Sequence, residues 1–213
     1  MINMLKETFV MLLTEYTDNT SLQKELWDEI EKSYSNENRY YHTLQHLNNL
    51  LEQLVEIKEK LKNWETILFT LYYHDIIYNS VESDNEEKSA RFAENQMKKI
   101  SVPTEIIEFC KKQILATKSH DQSIDPDTNF FIDADLSILG QNAEMYKEYK
   151  DAVRKEYSFY PNVIYNQGRK EVLSKFLKRD RIFKTDFFYK KYEATARMNI
   201  AEEIEGLNNE IKL

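Results

Sequence analysis

Glycine and proline are scarce, with three of each in 213 residues. So few turn-formers argue against β-sandwiches and barrels, whose many short strands need repeated bends. Cysteine is scarcer still. Cys110 stands alone, so no disulfide can form within the chain, which fits a reducing compartment. No run approaches the ~20 apolar residues of a membrane span. Residues 1–11 lack the basic start, long apolar stretch and small-residue cleavage site of a signal peptide. A soluble, cytoplasmic protein is expected, with no membrane partner. Basic charge is also short: 29 Lys and Arg stand against 37 Asp and Glu, a net charge of −8. Long nucleic acid wants a basic stripe and is not an expected partner. A small anion in a local basic pocket remains compatible with this balance.

What is abundant is Glu, Lys, Leu and Ile, the composition of helices with charged outer faces. Apolar spacing predicts helices over 4–16 and 22–34, the latter capped by Thr20 or Ser21. A third opens at Arg39 and runs to about Leu61. A fourth runs from Trp64 to about Tyr78 and a fifth from Asn85 to about Ile100. Pro103 sits near the start of a sixth, which ends around His120. Further helical stretches cover 130–139, 144–160, 163–177 and 187–207. No strand signal, low-complexity linker or internal repeat is present. The fold class expected is all-α, a single-domain helical bundle over residues 1–213.

The stretch Tyr72-Tyr73-His74-Asp75-Ile76-Ile77-Tyr78 organises the rest. It places a histidine and an aspartate inside the apolar run Ile67 to Tyr78. A buried ionised carboxylate costs several kcal/mol unless a metal or a hydrogen-bonded cation compensates it. A lone His-Asp pair reads first as a helix end with Asp75 exposed and His74 packed. The histidine inventory changes that. There are four, His42, His46, His74 and His120, all on or at the ends of predicted helices. His42 and His46 are four apart and share one helical face. Asp135 lies, with Asp133, inside a second apolar run. Two imidazoles and two carboxylates suit a borderline divalent ion.

The order His46, then His74-Asp75, then Asp135-Leu136 resembles the HD superfamily of metal-dependent phosphohydrolases. More narrowly, the chain is similar to a bacterial branch of predicted HD-domain hydrolases. The matching pieces are Arg39-Tyr40-Tyr41-His42 with His46-Leu47, His74-Asp75-Ile76-Ile77-Tyr78, Asn85-Glu86 with Ser89-Ala90, and Ala116-Thr117-Lys118-Ser119-His120. They continue with Asp133-Ala134-Asp135-Leu136, Arg154 with Glu156-Tyr157, Gly168-Arg169, and Glu193 with Ala196-Arg197. Together they span about residues 39–200.

The resemblance implies a helical HD-type domain with His46, His74, Asp75 and Asp135 as metal ligands. His46 is followed four residues later by Leu50, and Asp135 directly by Leu136, as the superfamily pattern has it. His42 is then a neighbour, and Asp133 points elsewhere on its helix. The ion implied is Mn, Fe, Co, Ni, Zn or Mg. The activity implied is hydrolysis of a small phosphomonoester or nucleotide by metal-activated water. Asp75, His120 and Glu86 are the catalytic candidates. Lys118, Arg154, Arg169 and His42 are the substrate-binding candidates, arginine matching phosphate through two parallel bonds. Each has a plainer reading. Glu86 suits a helix N-terminus, Arg154 has Asp151 and Glu156 nearby, and Arg169 has Glu171. Glu193 and Arg197 form a helix pair. The rival readings are a non-catalytic metal- and nucleotide-binding regulatory module and a di-iron oxidase. The second wants Glu three residues before a ligand His. Those positions hold Arg39, Thr43, Leu71 and Thr117.

Overall fold

Past Glu65 the stretch Thr66–Tyr73 carries no charge on any side, and a helix of that kind has no water-facing stripe. It must be surrounded. In a computed structural model of the protein, residues 2–211 are described, with side-chain surroundings for residues 4–208. Residue 1, part of the stretch read for a signal peptide, and residues 212–213 lie outside the described residues. Every regular element among the described residues is helical, so the fold class is all-α. No described helix is long and apolar enough to cross a membrane. The chain divides into two compact units, Met1–Ile132 and Asp133–Leu213.

In the first unit, α1 (Ile2–Thr14), α2 (Thr20–Tyr34), α3 (Leu44–Glu56), α4 (Trp64–Tyr73), α5 (Asn85–Lys99) and α6 (Thr104–Ala116) follow in order. α4 is buried from Thr66 to Tyr73 and packs against α1, α3, α5 and α6. Its aromatic face meets α1, where the Phe9 and Tyr72 rings lie 4.6 Å apart. The Tyr72 hydroxyl donates to the Leu5 carbonyl at 2.8 Å, so the ring's one polar atom is satisfied. Burying each such side chain contributes roughly 1.5–3 kcal/mol. Asn63 caps α4 by accepting from Thr66 N. The cap of α2 is Asn19, one residue before the predicted Thr20 or Ser21.

Several helix boundaries differ from the sequence reading, that of the helix Pro126–Asp135 among them, which starts at Pro126 rather than Phe130, and two of the differences shape the candidate site. α3 begins at Leu44 with Thr43 as its cap, so Arg39 to His42 form a non-helical approach. α4 stops at Tyr73 rather than Tyr78. Beyond it the backbone groups are taken by distant partners. Arg39 Nη1 donates to the Asp75 carbonyl at 2.7 Å and Nη2 to the Ile76 carbonyl at 2.9 Å. Ser89 Oγ both accepts from Ile77 N and donates to Ile77 O. Such tertiary bonds replace the helical ladder that apolar spacing alone predicts.

α7 (Pro126–Asp135) contains the division between the units, which falls after Ile132. The second unit continues with a 3-10 turn, Leu136–Gly140, then α8 (Ala143–Glu156), α9 (Asn162–Leu177) and α10 (Asp186–Ile211). α10 packs on α9 and on the 3-10 turn. Gly140 is there because of that approach: a Cβ on it would lie 2.4 Å from Tyr192 Cβ and 2.8 Å from the Tyr192 carbonyl oxygen. Asn199 Nδ2 holds the same turn by donating to the Leu139 and Gln141 carbonyls, each at 2.9 Å.

Candidate metal centre

His74 is the last turn of α4 carried one residue further, its amide donating to the Thr70 carbonyl. Its Nδ1 lies 3.0 Å from the Leu71 carbonyl. A carbonyl accepts only, so Nδ1 carries the proton, and in the neutral ring Nε2 carries a lone pair. That lone pair faces Asp75 Oδ2 at 3.1 Å and His46 Nε2 at 3.2 Å. His46 comes from the first turn of α3. His46, His74 and Asp75 each offer a ligand atom, and these atoms all lie within 4.8 Å of one another.

Acceptor facing acceptor in a buried place is unfavourable unless something positive sits between. A proton on His74 Nε2 is one remedy. It makes an imidazolium in a ring that is 1% exposed, which burial disfavours and Asp75 favours. A divalent ion is the other. With metal–nitrogen bonds of about 2.1 Å, ligand atoms lie about 3.0 Å apart at right angles and about 3.4 Å apart in a tetrahedron. The 3.1 and 3.2 Å separations fall between those two edges. The third, His46 Nε2 to Asp75 Oδ2, is 3.9 Å, and a shared ion would draw it in slightly. Two imidazoles and a carboxylate are a donor set for Zn, Mn, Fe, Co or Ni.

Burial by itself would push the Asp75 carboxyl up. When protonated, the imidazoles outweigh it, His74 most through charge and hydrogen bond, then His42 and His46, and hold the group well below the usual carboxylate range. The site keeps an opening to solvent. His42 and Asp75 side chains remain 19% and 18% exposed, against 4% and 1% for His46 and His74. His42 Nε2 stands 3.9 Å from Asp75 Oδ2 on this open side. The expectation of one helical face for His42 and His46 is corrected here, since His42 precedes the helix. It reaches Asp75 from the approach loop, its ring stacked on Tyr78 with centroids 4.1 Å apart. Tyr41 tilts against His46 at 5.0 Å and Phe131 meets the edge of His74 at 5.5 Å, so each ring's orientation is fixed by an aromatic neighbour.

The remaining candidates fall as follows. Lys118 and His120 close the C-terminal end of α6. Lys118 Nζ pairs with Glu87 at 2.6 Å, donates to the Ser83 carbonyl at 2.6 Å, and lies 4.0 Å from Glu86. Glu86 is in the first turn of α5, where the helix dipole favours a carboxylate. His120 has a positive φ of 51° and a backbone bond to Ala116. Asp135, expected as the fourth ligand, belongs to the second unit, as do Arg154 and Arg169. Arg154 donates to the carbonyls of Tyr157 and Tyr160 and to Asn162 Oδ1, closing the end of α8. Arg169 makes a two-point pair with Glu203, Nε to Oε1 at 2.8 Å and Nη2 to Oε2 at 3.3 Å, and donates to the Tyr149 hydroxyl. Its partner is therefore Glu203 on α10 and not the nearby Glu171. Glu193 pairs with Arg197 at 2.7 Å, as a helix pair four apart should.

The residues that sequence reasoning passed over are Arg39 and Tyr34, which hold the backbone around the doublet. A signal existed: Arg39 is the only lysine or arginine between Lys32 and Lys58, and it leads into two tyrosines. No family model matches the chain, and comparison with curated proteins and with solved structures finds no match.

Proposed function

We propose that this protein is a metal-dependent phosphohydrolase acting on a small phosphomonoester or nucleotide. The observation that carries the metal part is the convergence of His46 Nε2, His74 Nε2 and Asp75 Oδ2, three ligand atoms within 4.8 Å of one another. The hydrolytic part rests on the order of motifs that resembles the HD superfamily. His46, His74 and Asp75 would hold the ion. A divalent ion bound there lowers the pKa of a water and polarises a phosphoryl oxygen. On this reading Asp75 would accept a proton from that water, and His42, 3.9 Å from Asp75 Oδ2, offers an imidazole on the exposed side.

A second reading, a metal-binding module without hydrolytic activity, is favoured by one observation. Lys118, Arg154 and Arg169 each already bind acceptors of their own unit. A phosphate would have to compete with Glu87 for Lys118 and with Glu203 for Arg169.

The test is a panel of nucleotides and phosphomonoesters with the purified protein loaded in turn with Mn, Co and Ni. Hydrolysis that disappears in Asp75→Ala is expected. A loaded, folded protein inactive across the panel rejects the phosphohydrolase and leaves the binding module.

A further inference from the structure

Asp75 stands two residues beyond the end of α4, in a turn where a carboxylate has no ladder to orient it. Both polar groups of its backbone are nevertheless fixed from outside. Its amide donates to the Tyr34 hydroxyl at 3.3 Å, and that hydroxyl donates onward to the Tyr72 carbonyl at 3.2 Å. Its carbonyl accepts from Arg39 Nη1 at 2.7 Å. The same guanidinium donates to the Ile76 carbonyl at 2.9 Å and to the His42 carbonyl at 3.2 Å. It lies over the Tyr34 ring at 4.8 Å and near the Tyr78 ring at 5.6 Å. One buried side chain thus ties together the end of α2, the approach loop that carries His42, and the turn that carries Asp75.

We infer that Arg39, working with Tyr34, is a positioning residue for the metal centre: it sets where the Asp75 carboxylate and the His42 ring stand relative to His46 and His74. This rests on the metal reading above. The chemistry asked of Arg39 is that of a planar fork. Two of its nitrogens serve three carbonyls from two chain segments, with the Tyr34 ring centroid 4.8 Å from the guanidinium carbon. A lysine ammonium supplies the charge without that fixed geometry. Groups that orient a ligand commonly govern metal affinity by 10–100-fold.

The experiment is a cobalt(II) titration of the full chain, reading affinity and the visible ligand-field spectrum, on wild type and four variants. Arg39→Lys should bind about tenfold more weakly or worse, with a changed spectrum, while its helix content stays that of wild type. Tyr34→Phe releases the Asp75 amide and leaves the guanidinium, and should give a smaller loss in the same direction. Thr70→Val, in the helix that carries His74, removes the buried bond from Thr70 Oγ1 to Gln113 on α6. It should lower stability and leave both cobalt readouts unchanged, separating positioning from general loosening. His74→Ala separates the two claims. If it binds cobalt as wild type does, the metal reading itself fails. If it loses cobalt while a folded Arg39→Lys keeps wild-type affinity and spectrum, only the role of Arg39 is overturned. Should Arg39→Lys not fold, wild-type cobalt behaviour in Tyr34→Phe overturns it instead.

Discussion

Asp75 and Asp133 look alike in the sequence, each an aspartate inside an apolar run, and their surroundings differ in kind. Asp133 is fully buried and met by donors. Lys184 N, Thr185 N and the Thr185 hydroxyl give it hydrogen bonds of 2.7 to 2.8 Å. The Lys184 ammonium lies 3.7 Å away. Its carboxyl is pushed up by burial and drawn back by those bonds. Asp75 faces another acceptor, the lone-pair side of His74. Asp133 is completed by its own chain and ties a loop to α7. Asp75 is complete only with a cation or a proton. The lesson is that burial of a carboxylate does not mark a functional site. The character of the atoms it faces does.

The largest effect should come from breaking the completed one. Asp133→Ala leaves three donors unmet and should destabilise the fold by about 3 kcal/mol. Chemical denaturation measures this, and cobalt affinity per folded chain should not change. Asp75→Ala should do the reverse. A ligand should cost at least as much as an orienting group, about 100-fold in affinity, or about 2.8 kcal/mol at 1.4 kcal/mol per tenfold. Metal-free stability should hardly move. If Asp75→Ala unfolds the metal-free protein as badly as Asp133→Ala does, the contrast collapses.

A third change sharpens the view of the second unit as packed structure. Gly140→Ala drives a methyl into the Tyr192 backbone and should cost about 1–3 kcal/mol of stability. Thermal unfolding with and without metal should show the same loss.

Much of this was legible beforehand. The helical class follows from composition and spacing. His46, His74 and Asp75 stand out because charged groups in an apolar stretch need an explanation. What could not be read is set by partners far along the chain. α4 ends at Tyr73 because Arg39 and Ser89 take the backbone groups beyond it. His42 leaves the helix because its loop is held by the same arginine. Arg169 finds Glu203, 34 positions away, where local spacing suggested Glu171. Asn19, Thr20 and Ser21 are all good caps, and in the fold it is Asn19 that accepts from Leu22 N.

The fourth expectation concerns pH and is the smallest. The Asp75 pKa is lowered, so its contribution is present above its ordinary value of 3.8 and lost only as pH falls below that. Acid should therefore act on the metal through the imidazoles. Protons compete with the ion for the ring nitrogens, so acidification weakens binding. Cobalt affinity should be level above neutrality and fall through pH 6. A loss confined to pH below 4 would place the titration on the carboxylate and contradict the assignment.

The most direct test of the facing lone pairs is the nitrogen-15 spectrum of the His74 ring, recorded before and after adding zinc. The account expects Nδ1 protonated throughout, held by the Leu71 carbonyl, and a large shift of Nε2 when zinc binds. A His74 ring protonated on both nitrogens near neutral pH, and unchanged by saturating zinc, cobalt and manganese, would show that a proton fills the space and that no metal centre exists.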